Sequence, residues 1–284
     1  MASKEKNDAQ STVGKSHRTP FKHFVLDKTL GSWAGRIAPG YIKFIWGDMH
    51  IVDLCAGDGE PGEHGLSSPQ IIDKHASWSV NEMRRRGSRS RVHVTLIEKN
   101  AHTCDKLKSN ISATGFYNLN VVNGDAREFT LEVGSKNEAA FINADPNNIK
   151  QMPLAEPLVD SFPKLTTMTL TLGCNVGGVK RRPREEREEW FEYVRMCAGK
   201  MRSYHDAIIC RVVRDDAQWA YLSIIPSADT NKYIPILKKE GARHFDHGVD
   251  VVSFRSNNDI FWRQVDKLFL LQKKEYTPCE GVTE

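Results

Sequence analysis

The chain has little that marks a secreted or membrane-embedded protein. No apolar run approaches the roughly 18 to 20 residues of a membrane-crossing helix. The first twenty residues, MASKEKNDAQSTVGKSHRTP, lack the apolar centre of a signal peptide and are expected to form a disordered polar tail over 1–19. The six cysteines (Cys55, Cys104, Cys174, Cys197, Cys210 and Cys279) are widely separated, with no C-x-x-C pair. That spacing argues against a disulfide framework or a zinc knuckle and fits a reducing, cytoplasmic setting. Charge of one sign is scarcely in excess: Lys and Arg total 40 against 36 for Asp and Glu, a net of +4. Such a balance permits a polyanionic partner without requiring one.

What the chain does have is enough apolar matter for a core, 39% hydrophobic residues in 284, as one large α/β domain or a domain with a small annex. FKHFVLDKTLGSWAGRI (21–37) spaces Phe21, Val25, Leu26, Leu30 and Trp33 as one helical stripe. Short apolar runs then alternate with helix-length segments: HIVDLC, SPQIIDKHASWSVNEMRRR, RVHVTLIE, NAHTCDKLKSNISATG, NLNVVNG, AAFINAD, TTMTLTL. This alternation predicts crossover units and a parallel sheet with helices on both faces. REEREEWFEYVRMCAGKM reads as a charged helix opened by Pro183. HDAIICRVVRDDAQWAYLSII reads as an antiparallel pair joined by a tight turn at Asp215-Asp216. NKYIPILKKEG is expected to be a short helix, VDVVSF a strand, NDIFWRQVDKLFLLQ a closing helix, and 273–284 a loose tail.

A glycine loop, CAGDGEPGEHGLSS, follows the first strand and contains a literal G-x-G-x-x-G at Gly57, Gly59 and Gly62. In a dinucleotide enzyme such a loop presents N–H groups and a helix start to a pyrophosphate. Here it carries Asp58, Glu60 and Glu63, with Pro61 where an N–H would help and the next helix delayed to about Ser68 or Pro69. Each carboxylate would repel a phosphate charge by about 1 kcal/mol at 4 Å even in bulk water. A ligand bearing a sulfonium and an ammonium would instead be attracted, and S-adenosylmethionine is that ligand. Gly57 and Gly59 would let the backbone approach it closely.

Further acids fall at successive strand ends. Asp53 closes the first strand and would help to hold the loop and the ammonium. Glu98 closes the second, where a carboxylate can accept from two ribose hydroxyls. Asp125 follows the third, beside Ala126, where the adenine amino group would lie. Asp145 and Pro146 follow the fourth. Ligands of open α/β sheets gather beyond the carboxyl ends of the strands, so these acids point to one crevice. Cofactor contacts are expected from Asp53, Cys55, Ala56, Gly57, Gly59, Glu98, Lys99, Asp125 and Ala126.

The runs DLCAGDG, LIE, NGDA and NADPNN resemble the successive motifs of class I S-adenosylmethionine-dependent methyltransferases, over roughly residues 50–225. FKHFVLDKTLGSW followed by VDLCAGDGEPGEHGLSSPQII is similar to the three-Cys-motif partner proteins, a bacterial and phage-associated family with a KH-containing helix. The resemblance implies a Rossmann-like methyltransferase domain over 20–272, with its core at about 50–225 and a C-terminal annex at 226–272. It further implies a seven-stranded, mostly parallel sheet whose last strand is antiparallel.

Amino-methylating enzymes of bases use a loop of the type Asn/Asp-Pro-Pro-aromatic. Asp145-Pro146-Asn147 keeps the acceptor and the first proline, and these three residues are the candidates for the catalytic loop. Lys180, Arg181, Arg182 and Arg184 follow the fifth strand on the crevice side and are candidates for a phosphate backbone. The alternative is a loop whose arginines pair with Glu185, Glu186, Glu188 and Glu189. Arg84, Arg85, Arg86, Arg89 and Arg91 are expected at a helix end on the opposite edge, complementing the dipole. His244-Phe245-Asp246-His247 lacks a third spaced ligand, so no metal is expected. Cys174 lacks the Pro-Cys context of a methylating nucleophile and reads as a small buried thiol. The expected activity is methyl transfer to a base amino nitrogen, in DNA ahead of RNA. A protein or small-metabolite methyltransferase, and a cofactor-binding partner protein on the same scaffold, remain the alternatives.

Overall fold

The computed structural model describes residues 19–44, 47–62, 65–111, 116–132, 138–145, 167–175, 205–212, 219–246 and 248–255. Helix α1 (Thr19–Phe44) comes first and continues past the predicted stripe, through Pro39. The stripe is its buried side: Phe21, Val25, Leu26, Leu30 and Trp33 are all within the core. Strand β1 (Met49–Asp53) follows, then the glycine loop and α2 (Ser68–Arg85). Ser67 caps α2: the Gln70 side chain reaches back to the Ser67 N–H at 3.0 Å, and Pro69 sits in the first turn, where its missing N–H costs nothing. Next come β2 (Val92–Glu98), α3 (Ala101–Asn110), capped by the Asn100 side chain on the Thr103 N–H, and β3 (Asn118–Asn123). A single 3-10 turn (Ala126–Glu128) precedes β4 (Ala139–Ala144) and β5 (Thr167–Asn175). The chain then forms β6 (His205–Val212), β7 (Trp219–Pro226), α4 (Ser227–His244) and β8 (Val249–Arg255).

These strands make one sheet in the order β3-β2-β1-β4-β5-β7-β6-β8. From β3 to β5 every pairing is parallel. The chain steps outward from β1 through β2 to β3, then returns to the other side of β1 with β4. The order therefore reverses between β1 and β4, which is the Rossmann-like arrangement and places a crevice at their carboxyl ends. β1 and β4 are buried at every residue, as central strands covered on both faces must be, whereas β3 alternates towards solvent at the edge.

The sheet departs from the expected count. Among the described residues it has eight strands rather than seven, and two of these are antiparallel: β7, inserted between β5 and β6, and β8, paired with β6. The apolar VDVVSF run supplies β8, and by pairing with β6 it covers an edge that would otherwise be open. Of residues 227–255, β8 thus continues the sheet. The helix read in NKYIPILKKEG is longer than its motif and spans Ser227–His244. The Asp215-Asp216 turn, the charged helix opened by Pro183, the closing helix and both tails, up to residue 18 and from 273, lie outside the described residues.

One core cluster joins α1, α2 and α3 to a single face of β1, β2 and β4, with Trp33 and Phe141 at its centre. A second joins Phe21 and Val25 of α1 to Tyr233 and Leu237 of α4 and to Val249 of β8. α1 therefore lies between the two packed groups, and its first turns come to rest at the crevice. No described helix is long and apolar enough to cross a membrane.

Candidate functional site

Asp53, the last residue of β1, is 0% exposed. Register explains its company, because β1 pairs with β4 so that Asp53 stands opposite Asn143. The Asn143 side-chain amide donates to Asp53 Oδ1 at 3.0 Å, the Cys55 N–H to the same oxygen at 3.2 Å, and the Ser68 hydroxyl to Oδ2 at 2.8 Å. Burial nevertheless pushes the Asp53 carboxyl up to about 6, against the lowering effect of these three donors, and the nearby Asp145 adds to the rise. Ser68 and Asn143 were not singled out from sequence. Their signals were the start of the delayed helix and the polar residue inside the apolar run AAFINA.

Beyond Asp53 the backbone turns through Gly57, φ +67, and Gly59, φ +72, conformations that residues with a Cβ rarely adopt. The two glycines serve different ends. A Cβ on Gly59 would lie 2.9 Å from Leu107 Cδ1 and 3.2 Å from Ile111 Cγ1, so this glycine admits α3. A Cβ on Gly57 would meet no atom of the described residues within 4 Å beyond its chain neighbours, so this one fronts open space where a ligand can approach the backbone. The Gly57 N–H donates to Glu98 Oε2 at 3.1 Å, while the Asn100 N–H donates to Oε1 at 2.8 Å. Glu98 thereby ties the end of β2 to the glycine turn, and each of its oxygens keeps a further lone pair. Ala56, buried behind the turn, bonds the Ile97 carbonyl through its N–H at 3.0 Å.

After β3, Asp125 accepts from the Arg127 guanidinium, from Lys99 Nζ at 2.9 Å and from the Arg127 N–H at 3.0 Å. These donors, the Arg127 side chain foremost, hold its carboxyl well below the usual carboxylate range. An adenine amino group reaching Asp125 would share it with both cations, and Lys99 is committed to Asp125. Ala126 is buried at the start of the 3-10 turn.

Asp145 stands just past β4, and its partner comes from α1: Lys22 Nζ forms an ion pair with Asp145 Oδ2. The adjacent His23 bonds the Leu66 carbonyl, and burial lowers its basicity, with Lys22 adding to the effect. Neither residue was proposed for the site from sequence, although the KH pair in the first helix was the available signal. The Cys55 thiol shows how closely the acids converge. Burial pushes it well up, and Asp53, Asp145 and Glu98 each push it further. Such a thiol stays protonated at neutral pH and is no nucleophile.

The structure therefore brings Asp53, Cys55, Ala56, Gly57, Gly59, Glu98 and Asp145 to the carboxyl ends of β1, β2 and β4, with Lys99 directly after β2 and Asp125 and Ala126 after β3. Pro146, Asn147, Lys180, Arg181 and Arg182 lie outside the described residues. The arginines at the end of α2 are engaged locally. Arg85 and Arg86 pair with Glu82, Arg91 with Asp48, and Arg84 lies 5.3 Å over the Phe116 ring. His244 bonds Glu240 at 3.1 Å, and no metal-binding group of three side chains occurs among the described residues.

No protein-family model matches the chain, and no curated protein is similar to it in sequence. Among solved structures, protein LPL1258 of Legionella pneumophila, assigned to the DUF519 family, superposes with a TM-score of 0.55 at 13% identity. That match covers 87% of this chain and 99% of the other. An rRNA methylase of Streptococcus thermophilus superposes at 0.40 with 12% identity, over 72% of this chain and 93% of its own. Magnesium protoporphyrin IX methyltransferase of Synechocystis, solved with S-adenosylmethionine bound, superposes at 0.40 with 11% identity, over 78% and 86%. The first likeness concerns the fold alone, and the two lower ones are too distant to bear on chemistry.

Proposed function

We propose that the protein is an S-adenosylmethionine-dependent methyltransferase that acts on an amino nitrogen of a nucleic-acid base. The observation that carries this reading is the glycine turn after β1, where Gly57 fronts open space and gives its N–H to Glu98, with Asp53 closing β1 and Asp145 just past the adjacent β4. A pocket lined in this way attracts a ligand carrying positive charge and repels a diphosphate. The open space in front of Gly57 suits a close-lying aminoacyl and ribose portion. Glu98 would accept from the ribose hydroxyls, and Asp125 with Ala126 would border the adenine. Asp53, fully buried behind the turn, would act on the ammonium through its charge and through the backbone it fixes, and its hydrogen bonds leave it oriented before any ligand arrives.

When bound, the cofactor supplies a methyl group on a positive sulfur. That methyl would pass to the acceptor nitrogen by direct displacement, the sulfur keeping the S–C electron pair and the surplus proton on nitrogen passing to water. Asp145 contributes by accepting an N–H of the acceptor, which turns the lone pair towards the methyl carbon. The nucleic-acid assignment draws on the Asp145-Pro146 loop sequence and on Lys180, Arg181 and Arg182 after β5.

Isothermal titration with S-adenosylmethionine and with NAD tests the cofactor. We expect binding of the first only, and NAD binding alone would overturn the reading. Incubation with tritiated cofactor and separate pools of DNA, RNA and protein tests the acceptor, with label expected in DNA.

A further inference from the structure

Lys22 and His23 are consecutive on α1, yet each ties that helix to a different wall of the crevice. Lys22 reaches Asp145 past β4, and His23 reaches the Leu66 carbonyl, two residues before the Ser68 hydroxyl that bonds Asp53. The side chains of Lys22 and Asp145 remain 22% and 26% exposed, so the ion pair lies on the open side of the crevice, where an acceptor must enter. Asp145 Oδ2 is the oxygen that faces Lys22 Nζ. Asp53 and Asp145 are like charges close enough to perturb each other. Lys22 is the cation on the Asp145 side.

We propose that Lys22 is a positioning and specificity residue of the acceptor side: through the ion pair it orients the Asp145 carboxylate to accept an N–H of a neutral amine. This rests on the methyltransferase reading above. The same ammonium repels an acceptor that arrives already charged. A protonated lysine or aliphatic ammonium is therefore disfavoured, whereas the exocyclic amine of a base, neutral at pH 7, is admitted. Lys22 is also a second positive charge near the sulfonium, so it assists transfer while weakening cofactor binding slightly. A residue that merely braced the fold would affect both in the same direction.

The test uses the full chain and the variants Lys22→Met and Lys22→Arg. Calorimetry measures affinity for S-adenosylmethionine and S-adenosylhomocysteine, and tritium transfer is followed into separate DNA, RNA and protein pools. For Lys22→Met we expect transfer to fall about ten- to a hundredfold. Its preference for the positively charged cofactor over the neutral thioether should rise about two- to tenfold. Lys22→Arg should restore transfer. Parallel loss of binding and transfer in Lys22→Met, unchanged transfer in that variant, or a folded Lys22→Arg without transfer would each overturn the inference. Label confined to protein lysines in the wild type would overturn the selectivity for neutral amines. Failure of the wild type to bind S-adenosylmethionine is a distinct result: it removes the cofactor reading, and this inference with it.

Discussion

Asp53 shows how a single residue can be tuned by what the chain folds around it. Its carboxyl is raised from an ordinary 3.8 to about 6, so the folded state holds the proton more tightly than the unfolded chain. Stability from this group is therefore present at low pH and declines as pH rises from about 4 to 6. A bound cation reverses the preference, because it favours the ionised form. Affinity for S-adenosylmethionine should rise as pH goes from 5 to 7.5, with its midpoint near the Asp53 value, and Asp53→Asn should bind more weakly at pH 7.5 and lose that slope. Calorimetry at several pH values would show it. The two glycines of the turn give a second contrast. Gly59→Ala forces both a positive φ and a clash with Leu107, and should cost about 2 to 4 kcal/mol in chemical denaturation. Gly57→Ala meets strain alone, about 1 to 2 kcal/mol, and its larger effect should fall on cofactor affinity.

At the scale of elements, the placement of α1 matters most, since it carries Lys22 and His23. Asp27 of α1 accepts from Lys74 at 2.6 Å and from His75 at 2.9 Å on α2, and the His75 bond is the chief reason its carboxyl lies well below the usual range. Gly31 allows this approach, because a Cβ there would lie 2.7 Å from the His75 ring. Asp27→Asn should destabilise the protein by about 1 to 2 kcal/mol at pH 7. The deficit should shrink as pH falls below about 4, where the unfolded wild-type chain binds a proton on Asp27 that the folded state does not, so the wild type loses the stability this carboxylate contributes. Urea titrations at pH 7 and pH 3.5 would compare the two. The stripe of α1 was legible in the sequence because Phe21, Val25, Leu26, Leu30 and Trp33 recur at helical spacing. The latch was not, because Asp27 and His75 are distant in sequence and each is unremarkable in its own window.

Across the whole molecule, the core couples the leading helix to the central strands. Trp33 of α1 packs against Phe141 of β4 with ring centroids 5.7 Å apart, and both are fully buried. Phe141→Ala should cost about 3 to 5 kcal/mol in global stability. Because β4 also holds Asn143 and leads into Asp145, the loss should spread to the crevice, visible as faster amide exchange in β1 and β4 together. The eighth strand belongs to this scale as well. Its alternation was readable, but its pairing with β6 depends on an edge left free by β7, which no local pattern reports.

The order of short apolar runs and helical stripes was enough to determine the crossover sheet, the acidic character of the glycine loop and the row of carboxylates at strand ends. These are local or periodic properties of the chain. Tertiary structure alone decided that Asn143 and Ser68 clasp Asp53, that Glu98 bonds the Gly57 N–H, and that Lys22 answers Asp145. Each joins residues brought together by strand register or by the docking of one helix on another. The electrostatics of the site therefore depends on desolvation and on distances that arise only once the sheet has closed around it.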